Sequence, residues 1–422
     1  MSIIQDATHN RPLLRCVFLF TNFFLIIAAL YHLKPASRSI FLEALGSEFL
    51  PYVWIVTALM LGLVVSFYYR LIARFSRLRV VLATVSIIIV MLIGFRLLLT
   101  HPSQLTSFAF FVFVDMLSVI LVEQFWSLTN SIYSEHDGKR WYGLIATGGL
   151  VGGVVGGQAT DILIRQAGLQ TIDLLMVATV ILLGLAALTL LMQRVGLYQP
   201  VSITINEREV EKGSWRAILA NRYLKLIALI VLLAQMVAPL VEYQFMSVIE
   251  ATLSGRDERT AFLGEIFSLL GVVAIAVNVL IVPLVHRWLG VIAGLSAQPL
   301  AVFISSLFYM ASPSLVTGSA LQIADRGLSY SINRASKELL YISVNPLLIF
   351  QAKAWIDMFG YRLFKVLSSF LILLLTQWLP FTLPSADLIW LVLLICIVWG
   401  VTLLALRREY RRRSSGAYDM DQ

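Results

Sequence analysis

The sequence predicts an all-α integral membrane protein of about twelve transmembrane helices in two six-helix halves. Three observations carry that prediction. Of 422 residues, 59% are hydrophobic and 13% charged, whereas soluble domains are about half apolar and about a quarter charged. The apolar residues fall in runs of roughly twenty, the length a helix needs to cross the hydrocarbon core of a bilayer. A longer polar segment, residues 194–223 with the run NEREVEKGSW, divides these runs six and six.

In order, the runs lie near residues 16–34, 51–69, 80–99, 106–130, 141–164 and 172–193, then 224–245, 262–285, 288–311, 314–332, 353–378 and 386–406. The expected organisation is an N-terminal half over 1–193, a linker over 194–223, a C-terminal half over 224–406 and a basic tail over 407–422. The first fifteen residues contain Asp6, His9, Arg11, Pro12 and Arg15. No small-residue cleavage site follows them, so an uncleaved first span is expected. Cys16 and Cys396 sit far apart in apolar runs, which argues against a disulfide framework or a thiolate metal site.

A net charge of +8 would suggest nucleic acid only if it covered a soluble basic face. Here the charges sit in short loops between spans, where they report topology. With both termini placed on the cytoplasmic side, Lys34, Arg38, Arg165, Arg256 and Arg259 are the basic residues left outside, and every cytoplasmic loop is Lys/Arg-rich. The basic tail, RREYRRR, suits anionic headgroups. Six spans, a cytoplasmic linker and six more spans is the organisation of the major facilitator superfamily, whose halves rock around a site near the bilayer midplane. A weak internal echo supports it. SLTNSIYSEHDGKRWYG follows the fourth span and SYSINRASKELLYISVN the tenth; each runs from Ser and Asn into a Lys-bearing loop.

Charges inside the spans are the candidate functional groups, because each costs about 2.5 to 3.5 kcal/mol at a span centre on insertion scales. Asp115 and Glu123 lie eight residues apart on the fourth span, hence on similar helix faces. Asp115 reads either as a cavity-lining acid or as half of a structural ion pair with Arg96 or another base. Glu123 stands nearer the cytoplasmic end. Glu242 and Glu265 stand near the ends of the seventh and eighth spans, where facing outside water is one reading and a functional acid the other. Asp325 and Arg326 stand side by side on the tenth span, and Asp357, Arg362 and Lys365 form one ionic face on the eleventh. Two acids do not neutralise three bases, and an anionic substrate would supply the missing charge, guanidinium being suited to bidentate phosphate contact. The alternative is a conformational lock near the cytoplasmic surface.

KPASR, from Lys34 to Arg38, closes the first apolar run, and Pro35 is expected to kink or end the helix there. Glycine pairs at Gly148/Gly149, Gly152/Gly153 and Gly156/Gly157 leave one helix face nearly bare for close packing. A phosphate-loop reading fails, since no Gly-Lys-Ser/Thr follows. His9, His32, His101, His136 and His286 fall at span ends and loops, with no metal-ligand spacing and no Ser/His/Asp arrangement. No cofactor or metal is expected, and no enzyme activity.

FWSLTN followed by DGKRWYGLI and the glycine pairs resembles the fourth and fifth spans of the ATP/ADP translocases, the nucleotide transporters of plastids and intracellular bacteria with their bacterial relatives. DRGLSYSINRASKELLYISVNPLLIFQAKAWIDMFGYRL is similar to that family's tenth and eleventh spans through Lys337, Glu338, Tyr341, Lys353, Ala354, Ile356, Asp357, Arg362 and Leu363. YHLKPASRSIF resembles its first span, with Ser39 where the family commonly has Asp. The resemblance implies a twelve-span transporter of major facilitator type that exchanges or imports nucleotides, most plausibly ATP against ADP. It implies Lys34, Arg38, Arg326, Lys337 and Arg362 against phosphates, Asp115 and Glu123 as balancing or proton-coupling acids, and Asn130 and Asp357 in the same substrate-binding set. The expected setting is a monomer in the bilayer of a bacterial cytoplasmic membrane. A proton-coupled carrier of another organic anion, or a non-transporting scaffold or lipid-handling protein, is the alternative.

Overall fold

The computed structural model describes residues 12–133, 135–198, 221–341, 360–380 and 382–418. Most of the expected linker, and Lys353 and Asp357, lie outside the described residues. Among the described residues, helices fall within each expected span, the first set being α1 (Pro12–Ala44), α2 (Leu50–Arg74), α3 (Arg77–Leu98), α4 (Gln104–Ile132), α5 (Glu135–Arg165) and α6 (Leu174–Arg194). The second set is α7 (Arg222–Thr252), α8 (Arg256–Ala276, continued by a π-helical Val277–Ile281 and Val282–Trp288) and α9 (Val291–Ala311). It continues with α10 (Leu315–Leu328, a π-helical Ser329–Asn333 and Arg334–Tyr341), α11 (Tyr361–Leu373) and α12 (Ile389–Tyr418). Among the described residues, nine helices are long and apolar enough to cross a membrane.

The described residues form two compact units. The first takes them from Met1–Gly46, Leu59–Ile205 and Leu253–Val272; the second from Ser47–Ala58, Asn206–Thr252 and Val273–Gln422. In the first unit α1 is central, packed by α4, α5 and α6, and its Leu19, Leu33, Ala36 and Ile40 are fully buried. In the second, α7 is central, packed by α10, α11 and α12. Outer faces are apolar as lipid requires. On α12, exposed Leu394, Ile397, Val401 and Leu404 follow a single stripe at helical spacing.

Pro35 does not end α1, which runs nine residues further, to Ala44. A proline within a helix leaves the carbonyl four residues earlier without its usual donor, here that of Tyr31. The Thr160 hydroxyl of α5 donates to that carbonyl at 3.2 Å. Pro239 lies inside α7 in the same way, and the Ser368 hydroxyl of α11 donates to the nearby Met236 carbonyl at 2.8 Å. In α1 a neighbouring hydroxyl thus supplies a donor to the carbonyl that the proline leaves open, one way in which membrane helices tolerate proline. The placement of Lys34 and Arg38 in an outer loop is therefore corrected: both are helical, and Arg38 is buried.

The bare face of α5 packs on α1 in step. A Cβ on Gly152 would lie 2.5 Å from the Phe24 carbonyl oxygen and one on Gly156 2.9 Å from the Ala28 Cα, while one on Gly148 would strike the Phe20 carbonyl. Gly157 faces α8 instead, where a Cβ would meet the Gly264 oxygen at 2.6 Å. Backbones at this separation exclude even a methyl group.

Candidate functional site

α4 and α10 begin with the same cap. Ser103 accepts from the Thr106 amide at 3.2 Å while its own amide donates to the Thr106 hydroxyl at 2.9 Å. Ser314 and Thr317 repeat both bonds at 3.3 and 3.0 Å. Such a reciprocal cap satisfies two of the orphan donors at a helix start and pins the helix register. Eleven residues after each first helical residue (104 to 115, 315 to 326) stand Asp115 and Arg326.

In the first unit Asp115 meets Arg38. The Arg38 Nη2 donates to the Asp115 Oδ1 at 2.7 Å, its Nη1 donates to the Ser37 hydroxyl at 3.1 Å, and the guanidinium lies 4.5 Å from the centre of the Phe111 ring. Arg38 is 7% and Asp115 9% exposed. Of the bases open to Asp115, Arg96 is taken by Asp173 at 2.7 Å, beside the start of α6. α1, not α3, brings the base to Asp115.

In the second unit the charges are reversed. Arg326 on α10 donates from Nη2 to the Glu242 Oε2 on α7 at 2.8 Å, and its Nε lies 3.7 Å from the Asp325 Oδ2. Glu242 is 8% exposed, so it does not face outside water; α7 runs ten residues past it, to Thr252. Glu265 is exposed and pairs with Arg165 at 3.3 Å. Asp325 also accepts from the Gln298 amide of α9 at 2.9 Å, and Asn333 donates to the Gln298 carbonyl oxygen. Gln298 and Asn333 went unnoticed in the sequence because neither is charged.

Lys34 is half-buried one turn before Arg38; Glu123 and Asn130 are exposed on α4; Lys337 and Arg362 are half-buried on α10 and α11. The structure thus brings Arg38 to Asp115 and supplies Arg326 with Glu242, leaving Glu123, Asn130, Lys337 and Arg362 at separate positions along their helices. A cavity of about 380 Å³ in the second unit, lined by Glu48, Glu250, Tyr243, Ser247, Thr376 and Gln377, contains no basic group in its wall. The described residues hold no cluster of three or more His, Cys, Asp or Glu able to bind a metal ion.

Solved structures of helical membrane transporters share the fold. The POT family transporter PepTSo matches with a TM-score of 0.68 at 11% identity, over 94% of this chain and 98% of that one. A bacterial homologue of the iron transporter ferroportin matches at 0.66 and 13%, over 93% and 98%. The family described as TLC ATP/ADP transporter matches residues 103–316, and the chain belongs to it. Relatives include ADP,ATP carrier protein 4 of Rickettsia conorii, 24% identical over 350 residues, 72% of this chain and 68% of that one. ADP,ATP carrier protein 1 of Chlamydia muridarum is 25% identical over 299 residues, 62% and 56% of the two chains.

Proposed function

We propose that the protein exchanges ATP and ADP across a bacterial cytoplasmic membrane by alternating access, as a monomer with both termini in the cytoplasm. The observation that carries this reading is the guanidinium group held inside the spans of each unit by a carboxylate of the same unit, Arg38 by Asp115 and Arg326 by Glu242. A carboxylate and a phosphate offer guanidinium the same paired acceptors. Phosphate can therefore compete with the carboxylate for the guanidinium. The names of the Rickettsia and Chlamydia relatives supply the substrate.

In this reading Lys34, Arg38, Arg326, Lys337 and Arg362 neutralise phosphates, Asp115 and Glu123 balance the site when it is empty, and Asn130 and Asp357 complete the set. Purified protein in liposomes loaded with ADP is expected to take up labelled ATP, and to stop without internal nucleotide. Lys34→Ala and Arg362→Ala should each abolish exchange while the protein keeps its melting temperature. The double variant Arg38→Gln/Asp115→Asn, which removes both charges together, should do the same. Uptake by all three variants at the wild-type rate would return these residues to structure. Competition by phosphate-free organic acids, with none by nucleotides, would assign a different anion.

A further inference from the structure

Four helical serines of the second unit, Ser296, Ser331, Ser336 and Ser369, donate to the carbonyl four residues earlier on their own helix, at 2.6 to 2.9 Å. Ser306 on α9 and Ser319 on α10 do not. Their hydroxyls are buried, in residues 0% and 7% exposed, and make no hydrogen bond among the described residues. Three acceptor oxygens share that condition: Gln322 Oε1 and Asp325 Oδ2 of α10 and Gln244 Oε1 of α7, in residues 3%, 1% and 0% exposed. The large majority of buried side-chain polar atoms in folded proteins have a partner, so five on facing helices call for a common one.

The five share one seam. On α10, Ser319, Gln322 and Asp325 follow at three-residue steps, hence at neighbouring positions along one side. α9 and α10 are antiparallel about the short turn at 312–314, and the Gln298 amide on the Asp325 Oδ1 at 2.9 Å fixes their register. Counting eight residues from Gln298 toward that turn and six back from Asp325 sets Ser306 beside Ser319. Gly318 meets the third helix: a Cβ there would lie 3.6 Å from the Phe245 ring of α7 and 3.7 Å from the Tyr309 ring of α9. The Tyr309 hydroxyl donates to the Gln244 carbonyl at 3.5 Å. The Gln244 side-chain amide donates to the Ser385 carbonyl at 3.4 Å, and Ser385 lines the cavity of about 380 Å³.

The three acceptor oxygens cannot serve one another, and the two hydroxyls can each donate or accept. What completes them must bring donors and must be small. Three residues of helix rise by about 4.5 Å, a distance that two hydrogen bonds of about 2.8 Å through a single water molecule span. We propose that the seam of α7, α9 and α10 is a file of bound water molecules running from the cavity at Ser385 to the buried carboxylate of Asp325. A buried water makes about three hydrogen bonds to groups otherwise unsatisfied, and each of the five oxygens takes one from the file. The path joins Asp325, and the Arg326 guanidinium 3.7 Å from it, to the cavity. It does so whichever solute the protein carries.

The test is hydroxyl-radical footprinting of the full chain in lipid nanodiscs in H₂¹⁸O, because radicals formed from bound water mark the side chains beside it. Phe245 and Tyr309, each 1% exposed, should take up label, and Phe110 of the first unit, 0% exposed, should not. Labelling of Phe245 and Tyr309 no greater than that of Phe110 overturns the proposal. The melting temperature gives an independent sign. Ser319→Ala and Gln322→Leu lose hydrogen bonds if water serves these groups, and both variants should melt lower than the wild type. In a dry seam they remove unsatisfied groups, which is neutral or stabilising, so an unchanged or higher melting temperature in both overturns the proposal. A wild-type melting temperature that climbs with sodium but not with choline, at one ionic strength, would assign a cation to these oxygens and overturn it likewise.

Discussion

The two units solve one problem with opposite charges. In the first, the central helix carries the base and the fourth span the acid; in the second, the central helix carries the acid and the tenth span the base. Local sequence shows that these positions correspond. Pro35 and Arg38 of α1 recur 204 positions later as Pro239 and Glu242 of α7 (239 − 35 and 242 − 38). Pro102, Ser103, Thr106 and Asp115 recur 211 positions later as Pro313, Ser314, Thr317 and Arg326 (313 − 102 and 326 − 115). The repeat preserves the proline, the cap and the place of the charge, and inverts the sign. What it does not preserve is the count, since the second unit adds Asp325. In the first unit Arg38 pairs with Asp115, whereas in the second Arg326 lies beside both Glu242 and Asp325.

That difference sets the expected order of mutational effects. Asp115→Ala takes the carboxylate away from the buried Arg38, and removing one partner of a buried pair costs about 3 to 5 kcal/mol. Glu242→Ala should cost clearly less, because Asp325 already stands 3.7 Å from the same guanidinium. Melting temperatures of the two variants in one detergent check this. Equal losses would break the comparison by showing that Asp325 cannot replace Glu242.

A packing effect comes next. Gly152→Ala puts a methyl group against the Phe24 carbonyl oxygen and, as overpacking, should cost about 1 to 3 kcal/mol. Ser368→Ala, in the second unit's proline-linked contact, removes one hydroxyl without overfilling the seam. Its effect should stay near the 0.5 to 1.5 kcal/mol that a hydrogen bond typically contributes, or about 1 kcal/mol. Smallest is Arg165→Ala. Its bonds to Asp161 and Glu265 involve half-exposed side chains, and such pairs contribute about 0 to 1 kcal/mol. A drop as large as that of Asp115→Ala would show that charge pairing outside the spans matters as much as pairing within them.

Much of the fold was legible because lipid imposes it: apolar runs of one length, basic loops between them and a polar break in the middle leave few architectures. The ends of the spans were harder to read. Lys34, Pro35, Ser37, Arg38 and Ser39 look like a loop when judged by composition, and only the Thr160 hydroxyl on another helix lets the backbone stay helical there. Glu242 was left open between outside water and a functional role for a related reason, since polar residues in the last turns of α7 read as the end of the span. Asp115 and Arg326 were found as charges that a bilayer does not tolerate without cause. Their partners were not, because pairing depends on which helix lies alongside. The doubled Pro-Ser-x-x-Thr cap, visible in the sequence, was the signal that could have aligned the two halves and exposed the inverted charges.

The glycine face of α5 has a consequence in register. Gly148, Gly152 and Gly156 meet Phe20, Phe24 and Ala28 of α1, so both helices are marked at the same four-residue interval. At a rise of about 1.5 Å per residue, that interval is about 6 Å along the axis. A seam with such a repeat has a preferred register, because a displacement by one interval sets glycine against backbone again. Where two helices must shift and then hold, this contact behaves as a toothed rack, and its pitch is written into the spacing of the glycines.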